Sequence, residues 1–345
     1  MGKIKYFAAF IIPVLAIVSF NLTGVFAYLG LFVLYIVVPV LEQLIPQDAY
    51  NLEETEVELA KEDIYFDIVL YLMVALQVVA IFVFLQSLAD PALTNSDTIA
   101  RILTMGTVLG AVGINVGHEL GHKTGNSLKQ FFAQLVLATS VQNHFIPYHN
   151  SGHHRDIGTP KDLSSAKKGD NFYLFALKSQ IGGYFKTWNL EAKRLKAQGK
   201  NPLHNPMIVY TLLPIVLLGL IYFSFGLQIA IYYLLAAIYG ISILEAQNYF
   251  SHYGLRRQQL PNGRYERVNA RHSWNSNHIV GRVLLFELTR HSDHHHHGAK
   301  PYQVLESKEE SPLLPYGYPA MLLLSYFPFL FKPIMARQLA VYGVE

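Results

Sequence analysis

The chain has 345 residues, 52% of them hydrophobic and only 15% charged, with a mean hydropathy of +0.25 and a formal net charge of +3. The apolar residues come in long, nearly uncharged blocks, which excludes a pair of soluble domains and points to a polytopic membrane protein. Cysteine is absent. That rules out disulfides, thiolate metal sites and an iron–sulfur centre of the chain's own, so any metal must use nitrogen or oxygen ligands and any electrons must come from a partner.

Six spans are expected, at about 4–20, 22–45, 64–88, 99–116, 207–225 and 227–250, each near the roughly 20 residues a helix needs to cross a bilayer. The junction at Asn21 is so short that the first two spans must form a tight hairpin. No secretory cleavage pattern is evident, so the first span reads as a retained helix. A shorter apolar stretch, 131–146, contains Gln134, Gln142, Asn143 and His144 and reads as a buried or interfacial helix. The proline-rich turn 312–319 precedes a last apolar stretch, 320–331, expected to dock rather than span.

Lysine and arginine give the orientation. Residues 120–206 carry twelve of them against four acidic residues, Lys3 and Lys5 precede the first span, and Arg256, Arg257, Arg264, Arg267 and Arg271 follow the sixth. The positive-inside rule places all of these in the cytoplasm, with both termini there as well. The acidic stretch 53–63 is expected on the same side, which the rule tolerates. The fold class is therefore all-α and integral to the membrane, one catalytic domain over 1–345. Its six helices carry a cytoplasmic, histidine-rich helical cap from 117–206 and 251–345.

The fifteen histidines are not scattered. His118 and His122, in GHELGHK, sit four apart and share one helical face. His149, His153 and His154 follow in YHNSGHHR, His252 stands alone in NYFSHYG, and His291, His294 and His295 open HSDHHHHGAK. That last run is internal and broken by Ser292 and Asp293, unlike a purification tag. Neutral imidazole suits iron, zinc, copper and nickel. Nine such groups exceed what one ion takes, whereas two metals with four or five nitrogens each fit the count.

HELGHK, HNSGHH, NYFSHYG and RHSDHH, in this order on a six-span chain, resemble the histidine boxes of the integral-membrane alkane 1-monooxygenases, or alkane omega-hydroxylases. The resemblance runs from about the second span to Tyr318, and HSWNSNH at 272–278 favours these enzymes over the desaturases and hydroxylases with related boxes. It implies a non-haem diiron site with His118, His122, His149, His153, His154, His252, His291, His294 and His295 as ligands. It also implies O2 as co-substrate and hydroxylation of the terminal methyl of medium- to long-chain n-alkanes. Electrons are expected from rubredoxin, itself reduced by rubredoxin reductase and NAD(P)H. The expected setting is the inner membrane of a bacterium, among its lipids, with no nucleic-acid partner. The family usually has glutamate before the histidine in two boxes, where this chain has Tyr148 and Ser251.

Ligating histidines need their other ring nitrogen held by an acceptor. Asp293 is the first candidate, then Asp162, with Glu119, His272 and His278 also expected near the site. Asp156 and Glu245 are further candidate acceptors, read equally well as a surface salt bridge or a loop cap. His296 and His297 are expected to face solvent or to support the ligand rings, and His144 and His204 to be incidental. The chemistry requires no protein base or nucleophile, and no catalytic residue is assigned beyond the ligands. The basic segments could steer an acidic electron donor or simply contact lipid headgroups.

Two rival readings remain. HELGH satisfies HExxH, the zinc-protease signature, but leaves seven histidines unexplained. A metal transporter would place its ligands near the bilayer midplane rather than at one end of the spans.

Overall fold

The computed structural model describes residues 2–344, and among them no β-strand forms; the chain is helices and connecting loops. Six helices are long and apolar enough to cross a membrane. In chain order the helices are α1 (Lys3–Phe20), α2 (Gly24–Leu44), the short α3 (Glu54–Glu62), α4 (Tyr65–Ser87) and α5 (Asn95–Gly121). Next come α6 (Ser127–Thr139), α7 (running through Phe145–Tyr148, His149–His153 and His154–Asp156), α8 (Phe172–Ala197), α9 (Pro206–Phe225) and α10 (Leu227–His252). The last four are α11 (Ile279–Leu284), α12 (His291–His296), α13 (Tyr318–Ser325) and α14 (Pro328–Val341). The six expected spans are therefore α1, α2, α4, α5, α9 and α10.

Local chemistry sets the ends of these helices. Thr94 and Asp97 form a reciprocal capping box at the start of α5, and Asp97 also accepts the Gly24 amide at 2.6 Å, which ties the α1–α2 hairpin to it. Pro206 opens α9 behind the Asn205 cap, and Gly226, at φ 87°, makes the turn into α10 that a side chain would resist.

The centre of the bundle is a close crossing of α5 and α10. A Cβ on Gly106 would lie 2.6 Å from the Ala236 carbonyl, and one on Gly110 2.8 Å from the Gly240 carbonyl. Small residues four apart let two backbones approach in this way when the surrounding lipid offers no hydrophobic drive. Around the crossing, Phe84, Met105, Leu109 and Tyr233 are fully buried. By contrast Leu212, Ile215, Leu220 and Phe223 of α9 are exposed, as expected of a lipid-facing outer helix.

The polar stretch after α5 is more ordered than its composition suggests. Its α8 is 26 residues long, and Leu174, Leu177, Ile181 and Phe185 form one exposed apolar stripe. That stripe suits a helix lying in the membrane interface. The apolar stretch at 131–146 divides into α6 and the start of α7, and the last one becomes α13 and α14, broken at Tyr326 and Phe327.

One turn governs the approach to α12. Phe286 and Glu287 both adopt left-handed backbone, at φ 53° and 55°, a strained choice for residues with side chains. Burial holds it in place. Phe286 packs edge-on against Tyr302, while the Glu287 carboxylate accepts from Arg282 at 2.7 Å, Lys5 at 2.8 Å and the Tyr6 hydroxyl at 3.1 Å. Burial alone would raise this carboxyl, but the cations around it hold it at about 2.

Two outcomes are expected. Gly110→Leu should lower stability by roughly 1–3 kcal/mol through overpacking against α10, read by thermal unfolding in detergent. Because the Glu287 carboxyl is depressed in the fold, its contribution is present above the ordinary carboxylate range and is lost as pH falls toward about 2. Glu287→Gln should cost about 3 kcal/mol near neutral pH by stranding buried cations, and the difference from wild type should shrink in that acid window.

Candidate metal centre

Four segments deliver nine histidines to one place. A π-helical stretch at Leu109–Ile114 precedes His118 and His122 in α5, and a second at His149–His153 carries the next pair toward His154. Such insertions rotate the residues that follow and concentrate at functional sites. His252 ends α10, and α12 presents His291, His294 and His295.

The rings meet through Nε2. His118 Nε2 lies 3.0 Å from the Nε2 atoms of His122, His149 and His294, and His154 Nε2 lies 2.9 Å from that of His149. These five form one group, and His153, His252 and His295 a second. His291 adjoins the second group, its Nε2 3.1 Å from His252 and 3.0 Å from His295. Both groups could hold a metal. Nitrogens on bonds of about 2.1 Å at right angles would be separated by about 3 Å, which is the spacing found. The His153 Nε2 is buried and has no hydrogen-bonding partner among the described residues, as a nitrogen aimed at an ion should be.

The protonation states agree. His122, His149, His154, His291, His294 and His295 are all held well below the ordinary imidazole range, first by burial and then by neighbouring rings. Neutral rings keep the lone pairs that metals need.

Of the expected supporting residues, Asp162 is in place. It accepts from His153 Nδ1 at 2.9 Å and from Ser165 at 2.5 Å, while Tyr148 donates its hydroxyl to the other oxygen at 3.2 Å. Burial would raise Asp162, but His153 and Ser165 hold it below the usual carboxylate range. Glu119 lies 3.1 Å from His118 Nδ1, behind the ring and away from Nε2.

Two expectations need correction. Asp293 touches none of the nine histidines; it accepts from Lys300 at 2.8 Å, the Glu306 amide at 2.9 Å and His297 Nδ1 at 3.1 Å, pinning the loop that follows α12. The His272 ring is occupied by Glu266 and the Asn269 amide, though the backbone of His272 hydrogen-bonds the His252 ring, and His278 is occupied by Ser276 and Gln47, away from the cluster. Arg257 donates to the carbonyls of Glu266 and Arg155, and Arg256 to that of Ser165, so these two arginines hold loops together. Arg264, Arg267 and Arg271 stay exposed. Asp156 is held in ion pairs by Arg155 and Lys186.

Sequence reasoning missed Gln247, whose Nε2 is 3.4 Å from His291 Nε2; Glu245, one of the candidate carboxylates, is buried two residues before it. Their signal was present: EAQN is a polar run inside an apolar span, where polar groups are costly and usually functional.

An apolar cleft is lined at one part of its wall by His118, His149 and His291. Its walls include Ile12, Leu34, Ile243 and Leu322. The zinc-protease reading finds no support in this geometry, since Glu119 faces away from the Nε2 atoms and the other histidines share the same nest.

Comparison with known proteins agrees with the site. Residues 98–324 match the fatty acid desaturase family. The chain is 35% identical to alkane 1-monooxygenase 1 of Alcanivorax borkumensis, over 94% of this chain and 80% of the relative. It is 36% identical to alkane 1-monooxygenase of Pseudomonas putida, over 90% and 78%. It is also 27% identical to the xylene/toluene monooxygenase hydroxylase component XylM of Pseudomonas putida, over 68% and 63%. The chain belongs to the fatty acid desaturase family and, within it, to the alkane 1-monooxygenases.

Proposed function

We propose that the chain hydroxylates the terminal methyl of medium- to long-chain n-alkanes, using O2 and electrons from outside. The observation that carries this reading is an apolar cleft lined both by residues of the spans and by three of the nine imidazoles. His118, His122, His149, His154 and His294 would hold one iron, and His153, His252, His291 and His295 the other. When bound, the pair would supply activation of O2 and removal of hydrogen from an unactivated C–H bond.

The remaining work belongs to the protein. An alkane gains roughly 0.8 kcal/mol per CH₂ on leaving water, so it is already dissolved in the bilayer and gains little more in the cleft. Selectivity must therefore come from shape: a slot closed at the imidazole end presents a chain terminus. Asp162 fixes the His153 ring with Nε2 inward, because a carboxylate on Nδ1 keeps the proton there. The apolar walls exclude water from the reacting methyl.

The lysine and arginine distribution supports a setting in a bacterial inner membrane, with the nest, both termini and the basic loops on its cytoplasmic face. Lacking cysteine, the chain depends on an external donor; rubredoxin, reduced by its NAD(P)H-dependent reductase, fits that need. The whole chain acts as a single catalytic domain.

Purified protein should contain about two iron per chain and convert octane to 1-octanol under reducing conditions; a lone zinc would defeat the assignment. His295→Ala should insert normally yet lose iron and activity, whereas His297→Ala should keep its iron. Asp162→Asn should weaken metal binding about 10- to 100-fold. Asp293→Asn should lower thermal stability while leaving iron content near wild type, read by elemental analysis of the folded fraction.

A further inference from the structure

A second, smaller cavity lies against the histidine nest, and it differs in kind from the alkane cleft. Its lining is polar: Gln142, Ser164, Ser179, Gln180, Glu245 and Asn248. Phe145, His149 and Leu244 border both spaces, so one layer of side chains separates them. The polar cavity also reaches His153, which the cleft does not.

Glu245 is the only carboxylic residue lining it. It is 2% exposed. Its Oε1 accepts from Gln180 at 2.5 Å, and Gln180 in turn accepts from Gln142 at 3.0 Å. Glu245 Oε2 and Gln142 Oε1 are buried without a hydrogen-bonding partner among the described residues. Two orphaned oxygens from separate elements, bordering one polar space with room on the order of a single water, meet the conditions for an ordered internal water. No lysine or arginine lines the cavity, and the groups beside Glu245 there, Gln180, Ser179 and Asn248, are uncharged. His144, also on the wall, is pushed down to about 4 by burial and stays neutral.

We propose that this cavity is a water-binding proton chamber, in which Glu245 holds a proton at Oε2 and passes it through the bound water toward the His149 and His153 side of the nest. The inference rests on the oxygenase reading and deepens it. The overall balance is RH + O2 + 2 e⁻ + 2 H⁺ → ROH + H2O. The C–H and O–O bonds break, a C–O bond forms, and the donor's two electrons leave the second oxygen as water. Those protons cannot enter through a dry hydrocarbon cleft without exposing it to water. The chamber supplies them from the other side of the Phe145 and Leu244 wall, and Glu245 acts by positioning and holding the proton rather than by touching substrate.

Glu245→Gln tests this. It keeps the side chain's size and an oxygen to accept from Gln180, but cannot carry the proton. The expected result is wild-type iron content and thermal unfolding, alkane turnover lowered about 100-fold, and a larger solvent deuterium isotope effect. Glu245→Asp should recover part of the rate. Infrared spectra of the protein before iron loading give a readout independent of turnover: a deuterium-sensitive carboxylic acid band present in wild type should vanish in the variant. Unchanged turnover and isotope effect in Glu245→Gln, an infrared spectrum identical to wild type, or loss of iron in that variant would each overturn the proposal. Wild-type protein that carries iron but fails on octane would instead defeat the alkane reading, and leave the infrared result standing.

Discussion

Eight of the nine imidazoles face a neighbour through Nε2 at about 3 Å, a demanding arrangement, because neither charged rings nor mobile ones would tolerate it. Burial supplies the first condition by making protonation costly. Rigidity has to come from the bundle, and the close crossing of α5 and α10 provides it. The glycines that let those helices touch lie on the same helices that end in His118, His122 and His252. The turn before α12, held in left-handed backbone by the Glu287 ion cluster, completes the frame. Ligand placement thus depends on contacts well away from the rings themselves.

The nest is also a divider. Hydrocarbon belongs on one side of it, where the walls are apolar, and hydrogen-bonding groups gather on another. A site open to both from the same direction would flood. Placing the imidazoles where the spans meet the cap gives each reactant its own medium, with the thin wall of Phe145, His149 and Leu244 between them.

How much of this was legible in the sequence depends on what each feature needs. The spans were readable because hydropathy alone decides them, and the histidine groups because their spacings carry meaning within a single helix. Asp293 shows where that logic was applied incompletely. Residues at i, i+3 and i+4 share a face, so the residue at i+2 points elsewhere, and Asp293 accordingly turns to Lys300 and the Glu306 amide. The π turns were not readable, since no residue pattern announces them, yet they decide how His149, His153 and His154 fan out. Asp162 became the orienting carboxylate through a loop that folds back nine residues on, a contact that no periodicity encodes.

The two positions where this chain departs from the usual glutamates illustrate how such a site absorbs change. Tyr148 does not face the metal-side nitrogens; its hydroxyl supports Asp162 and accepts the Leu163 amide. Ser251 meets Tyr318 and Gln247. Neither replacement is a carboxylic residue, and the carboxylic side chains that meet ligand rings are Asp162 and Glu119, each against a single ring. His291 and His295 have Nδ1 atoms with no partner among the described residues. Those two rings are oriented by packing rather than by an acceptor, which makes the buried fit of α12 the main control on where their Nε2 atoms lie. The strained turn that positions α12 is therefore as much a part of the metal centre as any carboxylate.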